Sequence, residues 1–97
     1  MGQLLYGSPP EAFEFDDRTL AHVEIVIVAK LRRHESFTLV MPKEDGSRVS
    51  IWVHPTATLQ FRYEDAGHEI NRAWLEELVD SANTPAGLRV TPEPAAP

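Results

Sequence analysis

A segment without glycine or proline, residues 18–34, most constrains what this chain can fold into. Its β-branched residues favour a strand, but 17 residues are long for a strand in a chain of 97. Acidic residues precede the segment and basic residues end it, as in many helices. One face at helical spacing is apolar: Leu20, Val23, Ile27 and Leu31. We therefore predict a mostly buried helix capped by Asp16 or Asp17, with a strand as the alternative.

Short stretches of alternating apolar residues on both sides of this segment predict strands. Residues 3–6 and 12–15 flank a Gly-Ser-Pro-Pro turn and predict an N-terminal hairpin. Residues 37–41, 49–53 and 59–63 are joined by short connections, which favour a three-stranded antiparallel meander. A strand at 88–90 would lie at an edge.

A second, shorter helix is predicted over residues 72–82, with Asn71 as its N-cap. The sequence thus predicts an α+β fold: a small, mostly antiparallel sheet, formed by the hairpin and the meander, packed by one long and one short helix. We expect one domain over residues 1–90, because a chain this short buries a single core. The three prolines in residues 91–97 favour a disordered tail.

Composition and charge exclude several classes of function. The chain has no cysteine, which excludes disulfides and thiolate metal sites, and no apolar run approaches the roughly 20 residues that cross a bilayer. We expect a cytoplasmic protein without membrane contact. A net charge of −6 disfavours binding to nucleic acid by bulk charge. Residues 18–34 nevertheless carry four cations, either a local patch for a phosphate or an acidic partner, or a solvated helix end.

The hexapeptide Lys43-Glu44-Asp45-Gly46-Ser47-Arg48 fits K-x-D-G-x-R, the nucleotidyl-lysine motif of ATP-dependent ligases and capping enzymes. In those enzymes the lysine attacks the α-phosphate of a metal-bound triphosphate. The alternative function is therefore a nucleotidyltransferase that uses Lys43, Asp45 and Arg48 with ATP and Mg²⁺. Asp-Gly between two strands is also an ordinary hairpin-turn signal, and a ligase adenylation domain is longer than this chain.

The leading prediction is a non-enzymatic interaction module without metal or cofactor. If the meander's apolar side faces the core, alternation sends Thr38, Val40, Ser50, Trp52, His54, Gln60 and Arg62 outward. Such a face suits a protein partner or a homo-oligomer, and nucleic-acid contact is a further candidate. The four histidines are scattered without metal-ligand spacing. The residues predicted to bind are Lys30, Arg32, Arg33, Trp52, His54, Arg62 and Arg72.

Several stretches together resemble a family of short bacterial proteins: LYGS (5–8), FDDRTLAH (15–22), KLRR (30–33), ESF (35–37), IWVHP (51–55), LQF (59–61), NRAWLE (71–76) and SAN (81–83). The resemblance implies a domain without assigned function and supplies no catalytic residues. Members are often labelled "ATP-dependent DNA ligase" automatically. The family's hairpin at 43–48 is longer and variable, which implies that the ligase-like hexapeptide is an accident of one turn.

Overall fold

Two helices and six strands are formed by residues 1–65 and 67–95, the part of the chain that the computed structural model describes. In chain order they are β1 (Gly2–Tyr6), β2 (Glu11–Phe15), α1 (Asp17–Arg32), β3 (Phe37–Pro42), β4 (Arg48–Val53), β5 (Leu59–Arg62), α2 (Arg72–Ala82) and β6 (Leu88–Arg89). The predicted α+β class is confirmed.

The long helix forms where the sequence predicts it. The side chain of Asp16 accepts a hydrogen bond from the backbone N–H of Thr19 and so caps α1. The apolar stripe of α1 lies in the interior, where Leu20, Val23 and Ile27 are fully buried. The chain leaves the helix through His34, whose φ of 57° is left-handed. The predicted helix and cap are therefore confirmed, and the strand alternative is wrong.

The strands form two three-stranded sheets. In the first sheet the order is β2-β1-β5 and all neighbours are antiparallel. In the second the order is β4-β3-β6, with β3 antiparallel to β4 and parallel to β6. The pairing of β5 differs from the expected meander, because this strand joins β1 instead of β4. The backbone N–H of Gly7 donates to the carbonyl of Thr58 at 3.0 Å and brings the chain entering β5 to the end of β1.

The second helix starts at its predicted cap. Asn71 Oδ1 accepts hydrogen bonds from the backbone N–H groups of Ala73 and Trp74, at 3.0 and 3.3 Å. α2 packs against α1 and β6, which places its apolar face over the second sheet. The largest fully buried side chains come from both helices and from β1, β3, β4 and β6: Leu4, Leu20, His22, Val23, Ile27, Leu39, Val53, Leu78 and Leu88.

Residues 91–94 contact both helices. The carbonyl of Thr91 accepts a hydrogen bond from Trp74 Nε1 at 3.1 Å, and the Glu93 carboxylate is paired with Arg18. The domain boundary at residue 90 and the disorder of 91–97 stay predictions, and residues 96 and 97 lie outside the described residues. Among the helices described, none is long and apolar enough to cross a membrane.

Candidate interaction surface

The sheet β4-β3-β6 presents one of its faces away from the core. Along β4, Val49, Ile51 and Val53 pack on the core cluster, and the alternate residues are exposed. Register then places Thr38 of β3 beside Trp52, and Val40 between Ser50 of β4 and Arg89 of β6. We call this the outer sheet face, formed by Thr38, Val40, Arg48, Ser50, Trp52 and Arg89. Val40, which was predicted to point outward, lies on this face but is buried, with 5% exposure.

Trp52 is the dominant feature of the outer sheet face. The residue is 60% exposed, whereas Trp74, the other tryptophan, is 2% exposed. The Tyr6 hydroxyl donates a hydrogen bond to the carbonyl oxygen of Trp52 and joins the two sheets at this point. The backbone of Trp52 is thus held while its indole remains accessible to solvent.

The charge of this sheet is opposite to that of the whole chain. The strands β3, β4 and β6 contain Arg48 and Arg89 and no acidic residue, in a protein with a net charge of −6. Among the described residues, neither arginine forms an ion pair. The outer sheet face therefore combines an exposed aromatic ring, two unpaired cations and the hydroxyl groups of Thr38 and Ser50.

A cavity of about 330 Å³ adjoins Trp52 and brings Lys30 close to it. Its other walls come from residues 36–38 and from residues 82–85 and 87. Lys30 is buried, and its Nζ donates to Glu35 Oε1 at 3.0 Å and to Asn83 Oδ1 at 3.1 Å. The hydrogen bond from Lys30 lowers the pKa of Glu35. The positive charge of Lys30 is therefore compensated within the fold by the carboxylate of Glu35.

The other residues predicted to bind are spread over the surface. Arg32 and Arg33 are exposed at the end of α1, and Arg33 Nε lies 3.7 Å from Glu35 Oε2. Arg72 is exposed at the start of α2. The exposed His54 follows β4, and its Nδ1 lies 2.9 Å from the Thr56 hydroxyl.

Arg62 and Gln60 lie on β5 and so in the other sheet, contrary to the predicted single outward face. Arg62 donates to Gln60 Oε1 at 3.1 Å and lines a separate cavity with Gln3 and Glu14. The structure brings Lys30 and Trp52 together in one cavity and places Arg62 elsewhere.

Two residues of the outer sheet face, Arg48 and Arg89, are absent from the predicted binding set. Alternation along β4 was a signal for Arg48, which shares its face with Trp52. Arg89 had no such signal, because a two-residue strand parallel to β3 has no pattern that identifies its partner.

The ligase-like hexapeptide is the hairpin turn between β3 and β4. The backbone N–H of Lys43 donates to the carbonyl of Ser47 at 2.7 Å, and Gly46 has a φ of 89°. The Asp45 carboxylate accepts hydrogen bonds from the hydroxyl and the backbone N–H of Ser47, which lower the pKa of Asp45. The turn is thus closed by its own hydrogen bonds.

Lys43 and Asp45 line an open cleft of about 1160 Å³, and Arg48 is not among its lining residues. The same cleft is lined by four further carboxylates: Glu14, Asp16, Glu44 and Glu93. Five carboxylates against the two ammonium groups of Lys43 and Met1 leave the cleft with an excess of negative charge, which disfavours a triphosphate by repulsion. Among the described residues, no group of three or more potential ligands is placed to hold a metal ion.

The fold and the outer sheet face define a small α+β domain that exposes an aromatic and cationic sheet surface. The sequence profile of a family described as "Domain of unknown function (DUF7882)" matches residues 1–93. The chain therefore belongs to this family, which agrees with the expected short domain without assigned function. No curated protein matches the chain, and no solved structure matches it.

Proposed function

We propose that this protein is a non-enzymatic interaction module that binds an acidic, aromatic-containing segment of a protein partner on the outer sheet face. The observation that carries the proposal is the exposure of Trp52. Tryptophan is enriched among the residues that dominate protein interfaces, because a single ring removes a large apolar area from water on binding. The backbone of Trp52 is bound by the Tyr6 hydroxyl, so its ring is presented from a strand that is joined to the other sheet.

The arginines determine the class of partner. Arg48 and Arg89 lie on the face of Trp52 and have no carboxylate of their own chain in an ion pair within the described residues. Carboxylates of a partner supply the negative charges that would pair with these two arginines. Guanidinium groups bind carboxylates in bidentate geometry. A long polyanion such as a nucleic acid would extend beyond this face onto a surface of net negative charge. A short acidic protein segment fits the local charge better.

The same proposal covers the origin of the protein, its cellular compartment and its cofactor requirement. We propose a bacterial, cytoplasmic module without cofactor, in line with the resemblance noted above. The cysteine-free composition is compatible with a reducing compartment. Lys30 supports the cavity beside Trp52 by its hydrogen bonds to Glu35 and Asn83, and it is not a direct contact for a partner.

A defined peptide tests the proposal. The probe is a fluorescent peptide of alternating glutamate and tyrosine, with a lysine-for-glutamate peptide as the control probe. We expect saturable binding of the acidic peptide, weakened about 30-fold by Trp52→Ala, as for a central interface residue. Arg48→Glu combined with Arg89→Glu abolishes binding, and Arg72→Glu, an exposed arginine outside the face, leaves it nearly unchanged. Equal binding of both peptides, or no loss in the Trp52 variant, contradicts the proposal.

A single-stranded oligonucleotide provides the second arm of this experiment. Binding of the oligonucleotide that depends on Trp52 and falls with salt, without binding of the acidic peptide, identifies nucleic acid as the partner and overturns the protein assignment.

The second candidate function is an ATP-dependent, ligase-related nucleotidyltransferase that uses Lys43, Asp45 and Arg48. One observation favours it, because Lys43 and Asp45 line the large cleft. The carboxylates around that cleft and the hydrogen bonds that hold Asp45 in the turn count against it. Intact-mass measurement after incubation with ATP and Mg²⁺ separates the two functions.

A further inference from the structure

The solvent-facing stripe of α1 is apolar in its middle, carries an arginine at each end and has a symmetric sequence. Ile25 lies at the middle of this 16-residue helix and is 40% exposed. The residues four positions before and after it are both alanine, and those seven positions before and after are both arginine. These spacings lie on one helical face. The stripe is formed by Arg18, Ala21, Ile25, Ala29 and Arg32.

The two ends of this stripe differ in charge. At the first end, Arg18 donates to Glu93 and to the carbonyl of Glu69, and the carboxylates of Glu69 and Asp16 also act on its charge. The guanidinium group of Arg18 thus has one carboxylate in contact, that of Glu93, and two others near enough to raise its pKa. At the other end are the cations of Lys30, Arg32 and Arg33, and the Glu35 carboxylate pairs with Lys30 and Arg33. Within the described residues, Arg32 has no ion pair.

We propose that the stripe binds a second copy of this chain, with the two α1 helices antiparallel about a two-fold axis at Ile25. In a two-fold interface, a residue on the axis meets its own counterpart, and the contacts of all other residues occur in reciprocal pairs. Ile25 then contacts Ile25 of the other copy, and Ala21 faces Ala29, where the small side chains let the helices approach closely. Arg32 of each copy then lies opposite Arg18 of the other, beside the carboxylates of Glu93, Glu69 and Asp16 that give that end its net negative charge. Charge complementarity thus selects a second copy in antiparallel orientation.

An exposed apolar residue beside the acidic end extends the surface. Ile70 follows Glu69, whose carbonyl oxygen accepts a hydrogen bond from Arg18, and it is 40% exposed. A helix of 16 residues is only about 24 Å long, so the buried area falls below the roughly 800 Å² per partner of a standard interface. We therefore expect a reversible dimer. The inference is independent of the outer sheet face and of its partner.

Single cysteines test the axis directly, because the natural chain has none. In Ile25→Cys the two thiols meet at the axis, so mild oxidation gives a covalent dimer. In Ala21→Cys the two thiols are about 12 Å apart along the helices and cannot bridge, whereas the double variant Ala21→Cys with Ala29→Cys can. Val79→Cys, at an exposed apolar position on α2, is the matched control. Crosslinking of Ile25→Cys that is no faster than that of the control overturns the proposal.

Sedimentation equilibrium of the natural chain provides the second measurement, between about 10 µM and 1 mM, the range of weak association. We expect a monomer–dimer equilibrium that Arg32→Glu shifts to monomer, whereas Arg62→Glu, with the same change in charge at an exposed position on β5, leaves it unchanged. A monomer throughout, or a dimer insensitive to Arg32→Glu, overturns the proposal. A dimer abolished by Trp52→Ala alone overturns it as well and assigns self-association to the outer sheet face.

Discussion

The imidazole of His22 accepts a hydrogen bond through Nε2 from the backbone N–H of Asn71, at 2.8 Å, in the interior of the protein. Its Nδ1 lies 2.8 Å from the carbonyl oxygen of Arg18 and therefore carries the ring proton, because a carbonyl can only accept. The ring also lies 4.5 Å from that of Trp74. One buried side chain thus joins α1 to the cap of α2.

Replacement of His22 tests this junction. His22→Phe keeps an aromatic ring but leaves the buried N–H of Asn71 without an acceptor, so we expect the free energy of unfolding to fall by about 2–3 kcal/mol. The control is His34→Asn, an exposed position with left-handed φ that asparagine tolerates, where we expect a change within about 0.5 kcal/mol. Urea denaturation measures both values, and equal effects would contradict the role assigned to His22.

Gly87 and Gly46 offer a matched pair at nearly the same backbone angle, with φ of 90° and 89°. A Cβ on Gly87 would clash with the carbonyl oxygen of Thr38, whereas a Cβ on Gly46 meets nothing within 4 Å. We expect Gly87→Ala to lower the free energy of unfolding by about 2–4 kcal/mol, from steric conflict and backbone strain, and Gly46→Ala by only about 1 kcal/mol. Thermal or urea denaturation distinguishes the two variants. Similar losses of stability in both would contradict the close approach of Gly87 to β3.

The Glu93 carboxylate makes stability depend on pH. Hydrogen bonds from Arg18 and Asn71 lower its pKa from 4.5 to about 2. The folded protein therefore holds the ionised form more strongly than the unfolded chain does. This stabilisation is complete above about pH 4.5 and is lost as the pH falls towards about 2. We expect Glu93→Gln to lower stability at neutral pH and to flatten its decline in acid, as measured by urea midpoints. Parallel pH curves for the two proteins would contradict this.

Local signals predicted the helices because each signal is contained in a few neighbouring residues. Asp16 and Asn71 precede apolar residues at helical spacing, and both cap the helices that follow. The pairing of β5 could not be predicted in this way. Alternation determines which side chains share a face of a strand, but it does not identify the neighbouring strand. Trp52 and Arg62 were therefore assigned to one face although they lie in different sheets.

Lys30 shows the same limit at a single residue. A basic run at the end of a helix is typical of exposed side chains, and this prediction holds for Arg32 and Arg33. Lys30 instead follows Val23 and Val26 at helical spacing and so points to the interior side of α1. Its buried ammonium group depends on Asn83, which is 53 positions away in the chain. No local pattern reveals such a partner.

The hairpin turn at Lys43 gives the last prediction. We expect no covalent nucleotide adduct when the full chain is incubated with ATP and Mg²⁺ and its intact mass is measured. Asp45 is held by Ser47 within the turn, and the acidic cleft beside Lys43 repels a triphosphate. Lys43→Ala, the control, should have the same nucleotide response and a stability within about 0.5 kcal/mol of the natural chain, because the side chain is exposed. A mass increase of one adenylyl group that disappears in Lys43→Ala would establish the nucleotidyltransferase and overturn the non-enzymatic proposal.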